Sequence, residues 1–259
     1  MIKPVSEYIQ IAERMADAAR PIVRRYFRTP MSIASKADSS PVTQADREVE
    51  AALRNILRET CPGHAVIGEE MGGATDSTGP LWILDPIDGT SAFATGVTMF
   101  GVLIALAIDG KFVLGIIDQP INDERWRAAA GSATLFNGSP ARVSGCARLG
   151  DARLYTTAPE HFGGAIDAFN RVRDQAHFTR YGADCYAVGL LASGHVDLIV
   201  EAGLKLWDFA ALVPVVENAG GIITDWRGAA LTTASDGNFV AASSAALHEA
   251  TLQLLTETR

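Results

Sequence analysis

The segment "WILDPIDGTSAF", residues 82–93, constrains the fold of this chain more than any other stretch. Its apolar start, Trp82-Ile83-Leu84, is typical of a buried strand, and the run ends at a carboxylate, Asp85. A second acid, Asp88, follows and directly precedes Gly89-Thr90. A strand that ends in a carboxylate places it at the rim of the sheet, where binding sites form in α/β folds. The sequence therefore predicts a buried strand over residues 79–85 with an acidic site at its end.

The patterns along the rest of the chain predict an α/β protein. Apolar residues at helical spacing indicate an amphipathic helix over residues 4–28, and Thr43 can cap a second helix over residues 44–60. Two apolar runs joined by Asp109-Gly110 indicate a β-hairpin. After residue 151, strands and helices alternate, including a helix over residues 207–218, and this alternation is typical of layered α/β folds.

A polar stretch of small residues, 144–151, predicts a boundary between two subdomains. The N-terminal part, residues 1–145, is expected to be an α+β subdomain that carries most of the acidic residues described below. The C-terminal part, residues 146–259, is expected to be an α/β subdomain that completes the site.

Composition argues against several classes of protein. The formal net charge is −8 over 259 residues, which disfavours non-specific binding to nucleic acid. The three cysteines, Cys61, Cys146 and Cys185, form no C-x-x-C pair, so we expect neither disulfides nor a zinc site. This cysteine usage is consistent with a protein located in the reducing cytoplasm. The N-terminus soon becomes charged and no apolar run is long enough to cross a bilayer, so we expect no signal peptide and no membrane anchor.

Acidic residues recur at the ends of the predicted elements. They are Asp46, Glu69, Glu70, Asp85, Asp88 and Asp208. Carboxylate and backbone carbonyl oxygens are the ligands that Mg²⁺ prefers, and the absence of His and Cys beside these acids argues against zinc. Gly89 lets the backbone approach a ligand, and the amides after Thr90 start a predicted helix and can bind an anion. One turn can thus offer metal ligands and phosphate-binding amides, which suits metal-assisted phosphoryl transfer to water.

Each acid alone also has a simpler explanation. Glu69 is consistent with an exposed loop, Asp46 with the first turn of a helix, and Asp208 with a helix cap. The pattern D-P-x-D-G-T has no such explanation, because its five fixed residues occur by chance in on the order of 1 in 10,000 chains of this length. The acids are therefore interpreted jointly, as one site.

Four segments together resemble a known family. "GEE", "WILDPIDGTSAF" and "WDFAALVPVVENAGG" are similar to the three signatures of the inositol monophosphatase family of Mg²⁺-dependent, lithium-sensitive phosphatases, and "SSPVTQAD" is similar to its upstream segment. The resemblance runs from about residue 36 to about residue 221. It implies a layered α-β-α-β-α sandwich of the inositol monophosphatase and sugar phosphatase type, an active site between two subdomains, and a homodimer.

The resemblance also implies roles for individual residues. Glu69, Asp85 and the carbonyl of Ile87 would hold one Mg²⁺, and Asp85, Asp88 and Asp208 would hold a second. A third ion would involve Glu69 through water, so that two or three Mg²⁺ serve each site. Thr90, with Asp46 and Glu69, would orient the attacking water, and the amides of Gly89 and Thr90 would bind the phosphate. Lys36 matches a lysine of the same upstream segment, and no role is assigned to it.

Two further segments resemble the histidinol-phosphatase branch of this family. They are "FGVLIALAIDGKFVLGIIDQPINDERW" and "YGADCYAVGLLASGHVDLIVEAGLKLWDF". Within the second, Glu201 holds the family position that faces the non-phosphate end of the substrate, and Asp184 opens a predicted helix beside it. Histidinol phosphate carries an ammonium and an imidazole, with which two carboxylates can pair. The chain departs from this branch at Trp207, where the branch often has tyrosine.

The sequence therefore predicts a phosphomonoesterase that hydrolyses L-histidinol phosphate in histidine biosynthesis. An inositol-1-phosphate phosphatase, or a phosphatase for another small phosphate ester, remains an alternative with the same chemistry. A non-catalytic protein that binds a phosphorylated metabolite is a further alternative, disfavoured because all the expected metal ligands and Thr90 are present. His195 precedes a predicted strand and receives no role.

Overall fold

The computed structural model describes residues 3–29, 34–35, 41–42, 44–73 and 79–257. Lys36 and Thr43 lie outside these residues. The chain begins with two helices, α1 (Val5–Tyr26) and α2 (Gln44–Thr60), and between them a short antiparallel pair of strands, β1 (Ala34–Ser35) and β2 (Pro41–Val42). The two helices predicted from apolar spacing are thus both present.

In the described residues, the larger sheet has seven strands ordered as they occur in the chain. They are β3 (Ala65–Gly68), β4 (Pro80–Asp88), β5 (Gly101–Ile108), β6 (Lys111–Gln119), β7 (Glu124–Ala129), β8 (Leu135–Phe136) and β9 (Ser139–Pro140). β3 and β4 are parallel, and the other neighbours are antiparallel. The short helix α3 (Thr90–Ala94) follows β4 directly.

The smaller sheet is mixed, with the order β11-β10-β12-β14-β13. Its strands are β10 (Arg153–Thr156), β11 (Phe178–Tyr181), β12 (Leu198–Glu201), β13 (Ile222–Thr224) and β14 (Phe239–Ala242). The helices of this half are α4 (Ile166–Arg173), α5 (Asp184–Ala192), α6 (Leu206–Phe209), α7 (Leu212–Glu217) and α8 (Ala245–Thr256). β10 and β12 are parallel, so their carboxyl ends meet at one edge.

Three apolar clusters show how the layers pack. α1 and α2 cover one face of the larger sheet, where Met15 and Leu53 pack with Trp82. α5 and α7 lie between the two sheets, where Trp126 packs with Leu191. α4 and α8 cover the outer face of the smaller sheet. This arrangement confirms the predicted α-β-α-β-α sandwich.

The hairpin prediction is confirmed in detail. Asp109 and Gly110 have φ angles of 50° and 78°, as a two-residue turn with both central residues in the left-handed region requires. The prediction that β4 ends at Asp85 is wrong, because the strand continues to Asp88. A register shift between Asp85 and Asp88 lets the sheet accept Pro86, which has no N–H to donate.

The helix predicted over residues 207–218 is two helices, α6 and α7, separated at Ala210 and Ala211. Pro214 has no backbone N–H, so the carbonyl of Ala210 has no helical partner there. In the described part of the chain, no helix combines the length and the apolar character that a bilayer crossing requires. The subdomain boundary at residue 145 and the cytoplasmic location stay predictions.

The contact between β6 and α7 depends on a glycine. A Cβ atom on Gly115 would lie 2.1 Å from the carbonyl oxygen of Ala211, whereas a Cβ on Gly150 would meet nothing within 4 Å. We expect Gly115→Ala to lower the free energy of unfolding by about 1–3 kcal/mol, because the backbone of α7 must shift. Gly150→Ala is the matched control and should change it little. Urea unfolding of both variants measures the difference, and equal values would contradict this packing.

Candidate active site

The ends of β3 and β4 bring the first two acids together. Because the strands are parallel, Glu69, which follows β3, lies beside Asp85 of β4. The amide of Glu69 donates to the carbonyl of Leu84 over 3.2 Å. This bond fixes the residue before Asp85 to the backbone of Glu69, and the two carboxyl groups are in contact.

Backbone amides hold the other two acids in place, one from a distant element and one from the start of the acid's own helix. The amide of Cys185, at the start of α5, donates to Asp88 Oδ2 over 2.6 Å. The amide of Lys205, before α6, donates to Asp208 Oδ2 over 2.7 Å. The interpretation of Asp208 as a helix N-cap is wrong, because Lys205 is the N-cap of α6 and Asp208 is the third residue of this helix. Its carboxylate accepts from the N-cap amide and also faces the other acids.

Carboxylate oxygens of Asp85, Asp88 and Asp208 all lie within 4.8 Å of one another. An all-oxygen set of this kind fits Mg²⁺ better than zinc. Burial raises the pKa of Asp85 well above its ordinary value, and the charges of Glu69 and Asp88 raise it further. Without a cation, the ionised carboxylates repel one another. A bound cation would relieve this repulsion, which supports a cation site here.

The turn after β4 supplies the predicted catalytic pair. The hydroxyl of Thr90 donates to the carbonyl oxygen of Ile87 over 3.0 Å and lies 3.4 Å from Oδ1 of the fully buried Asp46. Gly89 has a φ of 85°, and a Cβ there would lie 2.9 Å from Asp184 Oδ2. This position therefore requires glycine. Because α3 has only five residues, its exposed amides contribute more to anion binding than its dipole does.

Most of these residues line one cavity of about 150 Å³. The predicted residues that line it are Glu69, Asp85, Ile87, Asp88, Gly89, Thr90, Asp184, Glu201 and Asp208. Asp46 does not line the cavity and contacts it through Thr90. The structure thus brings the predicted site residues together, while their individual roles stay predictions.

Two further acids, Asp184 beside Gly89 and Glu201 at the end of β12, also line the cavity. The carboxylate of the buried Glu201 accepts hydrogen bonds from the amide of Thr157 over 2.7 Å and from the hydroxyls of Thr157 and Thr156 over 3.1 and 3.2 Å. Burial nevertheless raises the pKa of Glu201 to about 8. Burial also raises the pKa of Asp184 to about 6, against the opposing effect of a hydrogen bond with Thr157.

Sequence reasoning missed part of the lining. Thr157 and His161 follow β10, and Leu204 and Phe239 complete the wall. One signal was available for Thr157: it follows the apolar strand that runs parallel to β12, which ends at Glu201. His161 also lines an adjoining outer hollow with Lys205 and Trp207. His195 is exposed and does not line the cavity.

Burial and the neighbouring acids at Asp208 predict that the stability of the metal-free protein falls as the pH rises. Burial raises the pKa of Asp208 to about 7 from its ordinary 3.8. Between these pH values the unfolded chain releases this proton first, so rising pH favours unfolding, and the loss of stability is complete above about pH 7.

Asp208→Asn should therefore melt at a higher temperature than wild type at about pH 8, with a much smaller difference at about pH 4. The same substitution should reduce the rise in melting temperature that Mg²⁺ produces, because a ligand is lost. Thermal denaturation with and without Mg²⁺ measures both effects. A variant less stable than wild type at pH 8 without metal would contradict the repulsion.

Comparison with known proteins finds relatives of this chain. The sequence profile of the inositol monophosphatase family matches residues 5–259. The chain is 44% identical to the bifunctional phosphatase IMPL2, chloroplastic, of Arabidopsis thaliana over 97% of this chain and 75% of that protein. It is 37% identical to the histidinol-phosphatase of Mycobacterium tuberculosis over 95% of this chain and 97% of that protein.

A solved structure of an inositol monophosphatase from Zymomonas mobilis superimposes with a TM-score of 0.90 and 45% sequence identity. The match covers 99% of this chain and 100% of that one. These similarities extend over nearly the whole length and confirm the resemblance inferred from the motifs. The chain belongs to the inositol monophosphatase family and is a phosphatase of that family.

Proposed function

We propose that this protein is a Mg²⁺-dependent phosphomonoesterase that hydrolyses L-histidinol phosphate to L-histidinol and phosphate, in histidine biosynthesis. The observation that carries the proposal is the pair Asp184 and Glu201, one half-buried and one buried, which adds two carboxyl groups to the cavity beyond the proposed metal ligands. Two relatives of the chain are histidinol-phosphatases, and the match extends over most of the length of each. This similarity supports the same substrate.

At the phosphate end, Glu69, Asp85, Asp88, Asp208 and the Ile87 carbonyl would hold two or three Mg²⁺ ions. When bound, Mg²⁺ supplies positive charge for the phosphate oxygens and makes a nearby water molecule more acidic. The chain itself positions these ligands. The acids lie at the ends of strands and helices, and backbone amides donate hydrogen bonds that restrain their carboxylates.

Thr90 and Asp46 are suited to orient the attacking water. The Thr90 oxygen can accept a hydrogen bond from water while its own O–H donates to the Ile87 carbonyl or to Asp46 Oδ1. Asp46 is fully buried, so its carboxylate has few competing water partners and keeps the hydroxyl oriented. The amides of Gly89 and Thr90 would donate to phosphate oxygens.

Asp184 and Glu201, which are not among the proposed metal ligands, would pair with the ammonium and imidazole of histidinol. A cation favours the ionised form of a buried acid, which lowers the raised pKa of Glu201 on binding. A neutral polyol would leave these charges without a counter-ion, although the hydroxyl of Thr157 could bind a polyol oxygen. The pocket chemistry therefore favours a cationic leaving alcohol.

Inositol-1-phosphate is the second candidate substrate, and it is supported by the similarity to the inositol monophosphatase of Zymomonas mobilis. A non-catalytic binding protein is less well supported, because the ligand acids and the pair formed by Thr90 and Asp46 are all present and in contact range. A homodimer in the cytoplasm, with no nucleic-acid or membrane partner, belongs to the same proposal.

Asp85→Asn tests the metal chemistry. Asp85 is the acid proposed to contact both cations, so the substitution should lower Mg²⁺-dependent phosphate release by more than about 100-fold. Phosphate release from histidinol phosphate and inositol-1-phosphate, measured side by side, is the assay. Asp197→Asn removes an equally buried carboxylate from the start of β12, remote from the cavity lining, and serves as the control. Undiminished activity in Asp85→Asn would refute the metal assignment.

Replacing Asp184 and Glu201 by Asn and Gln tests the substrate. Loss of two charge-assisted hydrogen bonds should lower kcat/KM for histidinol phosphate by about 100- to 10,000-fold, since each bond contributes roughly 1.5–3 kcal/mol. The value for inositol-1-phosphate should change much less. A wild-type enzyme that prefers inositol-1-phosphate, or a double variant that loses both activities equally, would contradict histidinol phosphate as the substrate.

A further inference from the structure

The acid Glu69 stands in a closed loop between β3 and the segment that follows. The amide of Gly68 donates to the carbonyl of Gly72 over 3.1 Å, and the amide of Gly72 donates back to Gly68 over 3.0 Å. This pair of bonds closes a turn that contains Glu69, Glu70 and Met71. The position of Glu69 therefore depends on whatever fills the inside of the turn.

Glu50, from α2, fills it. Its carboxylate is fully buried and accepts hydrogen bonds from the amide of Glu70 over 2.7 Å and from the amide of Met71 over 3.2 Å. Arg54, one helical turn later, donates its Nε to Glu50 Oε1 over 2.7 Å and its Nη2 to the carbonyl of Gly72. The ion pair of Glu50 and Arg54 thus contacts the loop at two places: Glu50 binds the amides inside the turn, and Arg54 binds the carbonyl at its end.

The glycine before Glu69 shows how close this contact is. A Cβ atom on Gly68 would lie 2.2 Å from Oε1 of Glu50 and 2.5 Å from its carboxyl carbon. The carboxylate therefore rests directly on the backbone that leads into Glu69. A change in the Glu50 side chain must move this backbone or leave a gap against it.

We infer that Glu50 is a positioning residue, which acts through the loop to hold the Glu69 carboxylate at the cation site. The inference rests on the proposed role of Glu69 as a metal ligand. It assigns to Glu50 no contact with substrate or cation, since Glu50 does not line the cavity. Its function is to place Glu69 close to Asp85, against the repulsion between these two acids.

The chemistry of the contact requires a carboxylate at this position. Two backbone N–H groups and a guanidinium donate to its two oxygens. Glutamine has the same size but offers one oxygen acceptor and one NH₂ donor. In Glu50→Gln, an NH₂ group therefore faces a donor, and at least one of these bonds is lost.

The test is calorimetric titration of Mg²⁺ alone into metal-free protein. Glu50→Gln should raise the Kd for Mg²⁺ by about 10-fold or more, as loss of a partner that orients a metal ligand does. The matched control is Asp197→Asn, because Asp197 is also buried and its carboxylate accepts from the amide and the guanidinium of Arg153. This control should lower the melting temperature and leave the Kd unchanged.

A double-mutant cycle separates positioning from general destabilisation. In a Glu69→Gln background, Glu50→Gln should raise the Kd by much less than it does in wild type, because the ligand it positions is already altered. If Glu50→Gln does not fold, Glu50→Asp, which keeps the charge and shortens the side chain, carries the same measurement.

The outcomes divide clearly. A folded Glu50→Gln with the wild-type Kd, or a Glu50→Gln effect that is equally large in the Glu69→Gln background, overturns the inference and leaves the proposed function standing. A parallel rise of the Kd in Asp197→Asn also overturns it. Wild-type protein that neither binds Mg²⁺ nor releases phosphate refutes the proposed function itself, and with it this inference.

Discussion

The crowding of carboxylates in one buried cavity is the constraint on which the rest of the structure depends. Oxygens of Asp85, Asp88 and Asp208 within 4.8 Å repel one another in a low-dielectric setting, where the repulsion is stronger than in water. A fold can keep such a group only by restraining each acid separately. Here a backbone amide does this for each member, from Ile87, Cys185 and Lys205.

These amides come from three different parts of the chain, and irregular backbone presents two of them. Ile87 lies within the register shift of β4. Three consecutive residues of positive φ, Gly182, Ala183 and Asp184, precede Cys185, and the last of them is the first residue of α5. For Ala183 and Asp184 this conformation is strained, at a cost of order 1–3 kcal/mol for each residue. The strain turns the first amide of α5 towards Asp88, so the electrostatic need of the site explains backbone that local sequence preferences would avoid.

The difference between local sequence preferences and contacts between distant parts of the chain explains what the sequence could predict. Asp85, Asp88, Gly89 and Thr90 lie in one short segment, so their spacing alone indicates a shared site. Local patterns also predict α1, α2 and the hairpin at Asp109. The end of β4 was mispredicted because Pro86 normally interrupts a strand, and the bulge that accommodates it depends on pairing with β5. His161 and Thr157 reach the cavity only through the parallel pairing of β10 with β12, which no local pattern encodes.

Glu50 illustrates the most useful signal that remains in such a sequence. It lies on the buried side of α2 together with Leu53 and Leu57, where periodicity alone would place an apolar residue. A charged residue at such a position must have partners, because an unpaired buried charge is too costly. Its partners are Arg54 and the loop of Glu69, so the exception to the apolar pattern leads directly to the acid site. Departures from amphipathic periodicity therefore point to the contacts that organise a site, even where the ligands themselves are recognised by their own motifs.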